Sequence, residues 1–165
     1  MRLASLDGAT NLTATIADYE FPDDLNDLNT ANWLEVDLTV QTPHGWGTCR
    51  TGCMLTWHAI AFADWLEALG VDRVKTPALM AFPEPNLQLK VTDQSSQHIR
   101  LHVTFVLEHP GRWEMDDEMD STPVQESKRY YVGEMDFTVR RAALRTAAES
   151  WRADLRRFPV RVPKL

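Results

Sequence analysis

"IRLHVTFVL", Ile99 to Leu107, puts Ile99, Leu101, Val103, Phe105 and Leu107 at every second position, with Arg100, His102, Thr104 and Val106 between them. Side chains alternate across a strand, so a period of two with one polar parity marks a strand buried on one face only. "LEVDLTV" repeats the pattern with Leu34, Val36, Leu38 and Val40, and "LQLKV" with Leu87, Leu89 and Val91. "NLTATI" from Asn11, "CRTGCML" from Cys49 and "YYVGEMDF" from Tyr130 carry it less regularly. About six strands are predicted, mostly antiparallel, because a half-polar sheet is the antiparallel habit.

Two segments switch to helical spacing. "TWHAIAFADWLEALG" places Trp57, Ala61, Trp65 and Leu69 four apart, between Thr56 as a candidate N-cap and Gly70 as a stop. "RRAALRTAAESWRADLRRF" carries the stripe Leu144, Ala147, Ala148, Trp151, Leu155 and Phe158, with Pro159 to end it. A sheet with one apolar face and two amphipathic helices to cover it predicts a two-layer α+β domain over residues 1–165. It would be a mostly antiparallel sheet of about six strands, with both helices on one face. The opposite face, with Glu35, Asp37, Lys90, Arg100 and His102, would meet solvent or a partner; Tyr130 and Tyr131 blur the parity of the last strand, which leaves open whether Glu134 or Asp136 joins it.

The 165 residues fit one domain, or one and a small appendage, and a chain of that length hides about 70% of its unfolded surface without needing a metal or disulfides. The net charge of -7 argues against general affinity for nucleic acid or an anionic membrane. No apolar run approaches the roughly 20 residues of a membrane helix. The opening "MRLASLDGATNL" has no apolar core of a secretory signal, so a cytoplasmic location is expected. Cys49 and Cys53 have neither the CxxC spacing of a redox pair nor the second pair of a zinc site, and are expected to be reduced; a turn at the intervening Thr-Gly would allow a disulfide instead. His98 and His102 share a strand face about 13 Å apart, too far to chelate one ion. No nucleophile elbow, P-loop or dinucleotide fingerprint is present, so no catalytic residue, cofactor or metal is assigned.

Charge is unevenly spread. Residues 1–139 hold 22 acidic and 9 basic side chains, and residues 140–165 hold 2 and 8. The last helix is either an arginine-rich binder of phosphate or nucleic acid or, as its apolar stripe favours, one that lies near an acidic body with its arginines covering apolar surface. Two long polar loops are expected, Ala17–Asn32 and His109–Lys128; loops of that length are usually functional or disordered. The second contains "EMDDEMDSTPVQE", Glu114 to Glu126, with six acidic residues and no basic one. It fails the EF-hand pattern, with Ser121 where Gly is needed and Ser127 in the final ligand position. Either it is a solvated face, or it meets a basic partner and speeds association by steering. Glu114, Asp116, Asp117, Glu118 and Asp120 are the first candidates for partner contact. Glu35 and Asp37 on the strand, with Asp23, Asp24 and Asp27 in the first loop, come second.

"NWLEVDLTV", "CMLTWHAIAFADWLEAL", "FPEPNLQLKV" followed by "IRLHVTFVLEHPGRW", and the closing "RAALRTAAESWRADLRRFP" together resemble the bacterial WapI-like immunity proteins over roughly residues 32–159. That resemblance implies a non-enzymatic, cytoplasmic protein that binds and neutralises a cognate toxin domain. No catalytic residue carries over, and the binding residues vary with the toxin. The alternative is a general interaction or structural subunit. Either leaves room for a homodimer through an exposed sheet edge.

Overall fold

The computed structural model describes residues 1–71, 78–84, 87–108 and 130–162. The chain opens with β1 (Arg2–Ala4), β2 (Asn11–Tyr19), α1 (Leu28–Asn32), β3 (Trp33–Thr42), β4 (Gly45–Leu55) and α2 (Thr56–Gly70). It continues with β5 (Leu79–Ala81), β6 (Leu87–Gln94), β7 (His98–Glu108), β8 (Tyr130–Arg140) and α3 (Arg141–Leu155).

The class is α+β as expected, but the single sheet of about six strands is not found. The strands form two antiparallel sheets of four, ordered β1-β2-β3-β4 and β5-β6-β7-β8. The six strands read from alternation are all present. The two additions, β1 and β5, are three residues each and too short to show a period. Alternation reports that one face is buried without reporting against what, so one sheet under helices and two sheets sharing a core look alike.

Leu12, Ala14, Ile16, Leu34, Val36, Leu38 and Val40 of the first sheet join Leu87, Leu89, Ile99, Leu101, Val103 and Phe105 of the second in one continuous core. The sheets also touch where the Cys49 thiol donates to the Val106 carbonyl at 3.5 Å. The turn after β1 reaches β8, the Leu6 amide donating to the Thr138 carbonyl at 3.1 Å.

Both helices meet the first sheet. They pack on each other; α3 also contacts β1 and β2 of the first sheet and β8 of the second, while α2 contacts β4. Trp151 joins the pair: it is fully buried, stacks edge-on to Phe62 and donates its indole N–H to the Ala59 carbonyl at 2.9 Å. Thr56 is the first helical residue of α2, not its cap, and its hydroxyl donates to the Asn32 carbonyl. The four-apart series is only partly inward: Trp65 and Leu69 are buried, Trp57 is half-buried and Ala61 is exposed. α3 stops at Leu155, four residues short of Pro159.

The arginines of the last segment pair with the body, as read from the charge division. Arg152 bridges Asp64 at 2.7 Å and Glu67 at 2.6 Å on α2. Buried Arg141 donates to the carbonyls of Leu69 and Ser95. Cys49 and Cys53 are buried thiols, and burial pushes the Cys53 thiol up to about 12.

Candidate functional site

Polar parity places one row of side chains after another on the outer face of the first sheet. Thr15 on β2 faces Asp37 on β3, which faces Arg50 on β4. In the next row Asp18 faces Glu35, which faces Gly52. A register shift between Ile16 and Asp18 and another between Leu34 and Glu35 bring these residues into line. Extra residues of this kind re-aim side chains near the end of a strand.

Asp37 and Arg50 form a two-pronged pair, Nε to Oδ1 at 2.7 Å and Nη2 to Oδ2 at 2.9 Å. The charge of Asp37 is therefore answered within the fold. The residues beside it are differently placed. Glu20, just past β2, lies over Gly52 with the Trp33 indole beside it. A Cβ on Gly52 would sit 2.7 Å from the Glu20 carboxyl carbon and 2.8 Å from the Trp33 indole nitrogen. Glycine at this strand position is what lets a carboxylate and an indole lie against the backbone. Burial, then the charges of Glu35 and Glu84, hold the Glu20 carboxyl above its usual range, against the hydrogen bond from Trp33. Asp18, Glu20, Glu35 and Glu84 thus form one acidic surface beside the Asp37–Arg50 pair.

This surface runs into the first acidic segment, which is not the uninterrupted loop expected for residues 17–32. β2 extends to Tyr19 and α1 begins at Leu28. Asp27 is the N-cap of α1, its Oδ1 accepting from the amides of Asn29 at 2.9 Å and Thr30 at 3.0 Å. Those amide contacts hold its carboxyl below the usual range, the Thr30 amide contributing most. Asp24 accepts from the Asn26 amide at 3.0 Å.

The segment is backed by the end of the chain. The side chain of Asn32, fully buried, donates to the carbonyls of Leu28 and Arg161 and accepts from the Arg161 amide, each at 2.8 Å. The Arg161 guanidinium lies 4.4 Å over the Tyr19 ring and donates to the carbonyls of Phe21 and Pro22. Tyr19 in turn donates its hydroxyl to the Pro159 carbonyl.

The outer face of the second sheet is polar as expected but mixed in charge. His102 faces Lys90 on one side and Asp136 on the other. Its Nδ1 lies 3.5 Å from Asp136 and its Nε2 3.8 Å from Glu134. A shallow concavity of about 300 Å³ between this face and the turn after β1 is lined by Ser5, Asp7, Thr10, Arg100, Asp136 and Thr138. Among the described residues no three His, Cys, Asp or Glu side chains converge as a metal ion would require. No helix of the described residues is long and apolar enough to cross a membrane.

Of the carboxylates singled out in the sequence, Glu35 and Asp37 share the outer face of the first sheet, and Asp23, Asp24 and Asp27 lie in the segment next to it. Glu114, Asp116, Asp117, Glu118 and Asp120 lie outside the described residues. Glu20, Asp18 and Glu84 were missed. The signal that points to Glu20 is Gly52, an isolated glycine in a strand, which marks close approach of another group.

A family model described as the immunity protein WapI-like family matches residues 2–159. No curated protein and no solved structure matches.

Proposed function

The chain belongs to the WapI-like immunity protein family, and from that premise we propose that it binds a cognate toxin domain and neutralises it without catalysis. The contact surface in this reading is the acidic outer face of the first sheet, centred on Glu20 and Glu35. It continues through Asp18 and Glu84, with Asp37 at its margin. The observation that supports it is the position of Glu20, held between burial and two like charges. Like charges gathered on a rigid face work against the fold that carries them. Such local conflicts are expected where function, not folding, sets the residues.

An arginine or lysine from a partner, entering between Glu20, Glu35 and Glu84, relieves that repulsion. A toxin that acts on nucleic acid carries such a basic surface, and carboxylates on a sheet stand where its phosphates would. Complementary charge of this kind raises the association rate and fades with salt. Asp116 and Asp117, with Glu114, Glu118 and Asp120, are proposed as a second acidic contribution to the same partner. The protein is proposed to act in the cytoplasm.

The test is growth rescue. The C-terminal domain of a toxin-like reading frame beside the gene is induced in a host with and without this chain. Protection together with co-purification of the two supports the reading. Continued killing in the presence of soluble, folded chain moves the weight to a general interaction subunit.

A further inference from the structure

Four exposed apolar side chains lie on the two segments that the buried amide of Asn32 joins. Phe21 is 43% exposed, Leu28 46%, Val160 48% and Val162 77%. Asn32 bonds the Leu28 carbonyl and both backbone groups of Arg161, which lies between the two valines. Arg161 in turn bonds the Phe21 carbonyl at 3.5 Å. Two segments far apart in sequence are thus tied into one surface, and its apolar residues face outward. Around it stand Asp23, Asp24 and Asp27, with Asp18 and Glu20 leading onto the sheet. Residues 17–32 contain no lysine or arginine, and of the arginines that precede Val160, Arg157 is bonded to the Ile16 carbonyl and to Asp154. The Arg161 cation is already spread over the Tyr19 ring and two carbonyls.

We propose that this patch, Phe21, Leu28, Val160 and Val162, is the apolar anchor of the toxin interface. It would seat a surface of the toxin domain that has an apolar centre and a rim of lysine or arginine. The inference rests on the immunity reading and deepens it by naming where the apolar contact lies. Charge selects the occupant. A second copy of this chain would set one aspartate rim against another. A nucleic acid or an anionic membrane would meet the same repulsion. A basic protein surface gains from the rim and buries the centre, which is the usual anatomy of a protein interface. The backing by Asn32 and Arg161 matters for affinity, because a surface already held in shape loses less freedom on binding.

The experiment uses the full chain and the toxin C-terminal domain used for growth rescue. Phe21→Ala combined with Val162→Ser, both at exposed positions, is compared with the wild type by surface-immobilised binding kinetics. The expected result is at least a tenfold rise in Kd, mostly from faster dissociation, with an unchanged melting temperature. Asp23→Lys is expected to lower the association rate and flatten its dependence on salt. A wild-type chain that protects and binds, beside a double variant that does so equally well, overturns this inference alone. A wild-type chain that neither binds nor protects overturns the immunity reading, and this inference falls with it.

Discussion

Asn32→Ala should loosen the support of the acidic segment, and the cost follows from the bonds it removes. The Asn32 side chain is fully buried and makes three hydrogen bonds of 2.8 Å. A buried hydrogen bond contributes about 0.5–1.5 kcal/mol net, and a partner left unsatisfied adds to the loss. Some of that is recovered as residues 159–162 lift and their amides find water. The expected destabilisation is about 3 kcal/mol. In a domain of this size it corresponds to a fall in Tm of roughly 6–12 °C. Asn32→Asp keeps the acceptor for the Arg161 amide but turns a carboxylate toward two carbonyls. It should therefore cost at least as much near neutrality, and less once the carboxyl is protonated. Urea and thermal unfolding give the energies, and amide exchange over Tyr19–Thr30 and Pro159–Val162 locates the loosening. An Ala variant within about 0.5 kcal/mol of wild type, with unchanged exchange in both segments, would refute the claim that Asn32 ties them together.

Three further outcomes are expected. Glu20 holds its proton more tightly in the fold than in the unfolded chain, so stability falls as pH rises from its ordinary value of 4.5 through its raised one. Glu20→Gln should thus be more stable than wild type at pH 7, with the gap closing in acid; thermal melts across pH check the sign, and a less stable variant at pH 7 would contradict it. Gly52→Ala should cost about 1–3 kcal/mol by crowding Glu20 and Trp33, and adding Glu20→Ala should return part of that in urea unfolding. Equal effects with and without Glu20 would show that the crowding lies elsewhere. Cys53, with its thiol pushed up to about 12 by burial, should react with a thiol reagent at pH 8 only as the chain unfolds; prompt reaction in the native protein would count against its burial.

Much of the fold was written in local pattern. Three of the six longer strands carry a regular alternation and three a weaker one, and the outward parity of Glu35, Asp37, Lys90 and His102 followed from it. What was not readable depends on contacts between distant segments. Nothing in "RLA" or "LMA" marks a strand until β2 and β6 are there to pair with it. The division into two sheets is set by how apolar faces meet, and a single face looks the same in either arrangement. At the site, Glu35 was visible because it sits in a regular strand. Glu20 was hidden because its position over Gly52 depends on the shift after Ile16, in a segment read as loop. Likewise, the tie between Asn32 and Arg161 joins residues 129 apart, a distance over which no sequence period operates. The charge division was legible in outline, and Arg152 bridging Asp64 and Glu67 gives it a location.

In the proposed reading the acidic face of the first sheet meets a toxin domain. Calorimetric titration of the chain with the C-terminal domain of the neighbouring toxin-like reading frame tests it most directly, with wild type, Glu35→Arg and Asp116→Arg/Asp117→Arg side by side. Saturable one-to-one binding is expected in the wild type, weakened at least tenfold by Glu35→Arg and more strongly at low salt. Absence of binding, or binding that Glu35→Arg leaves unchanged at every salt concentration, would contradict it.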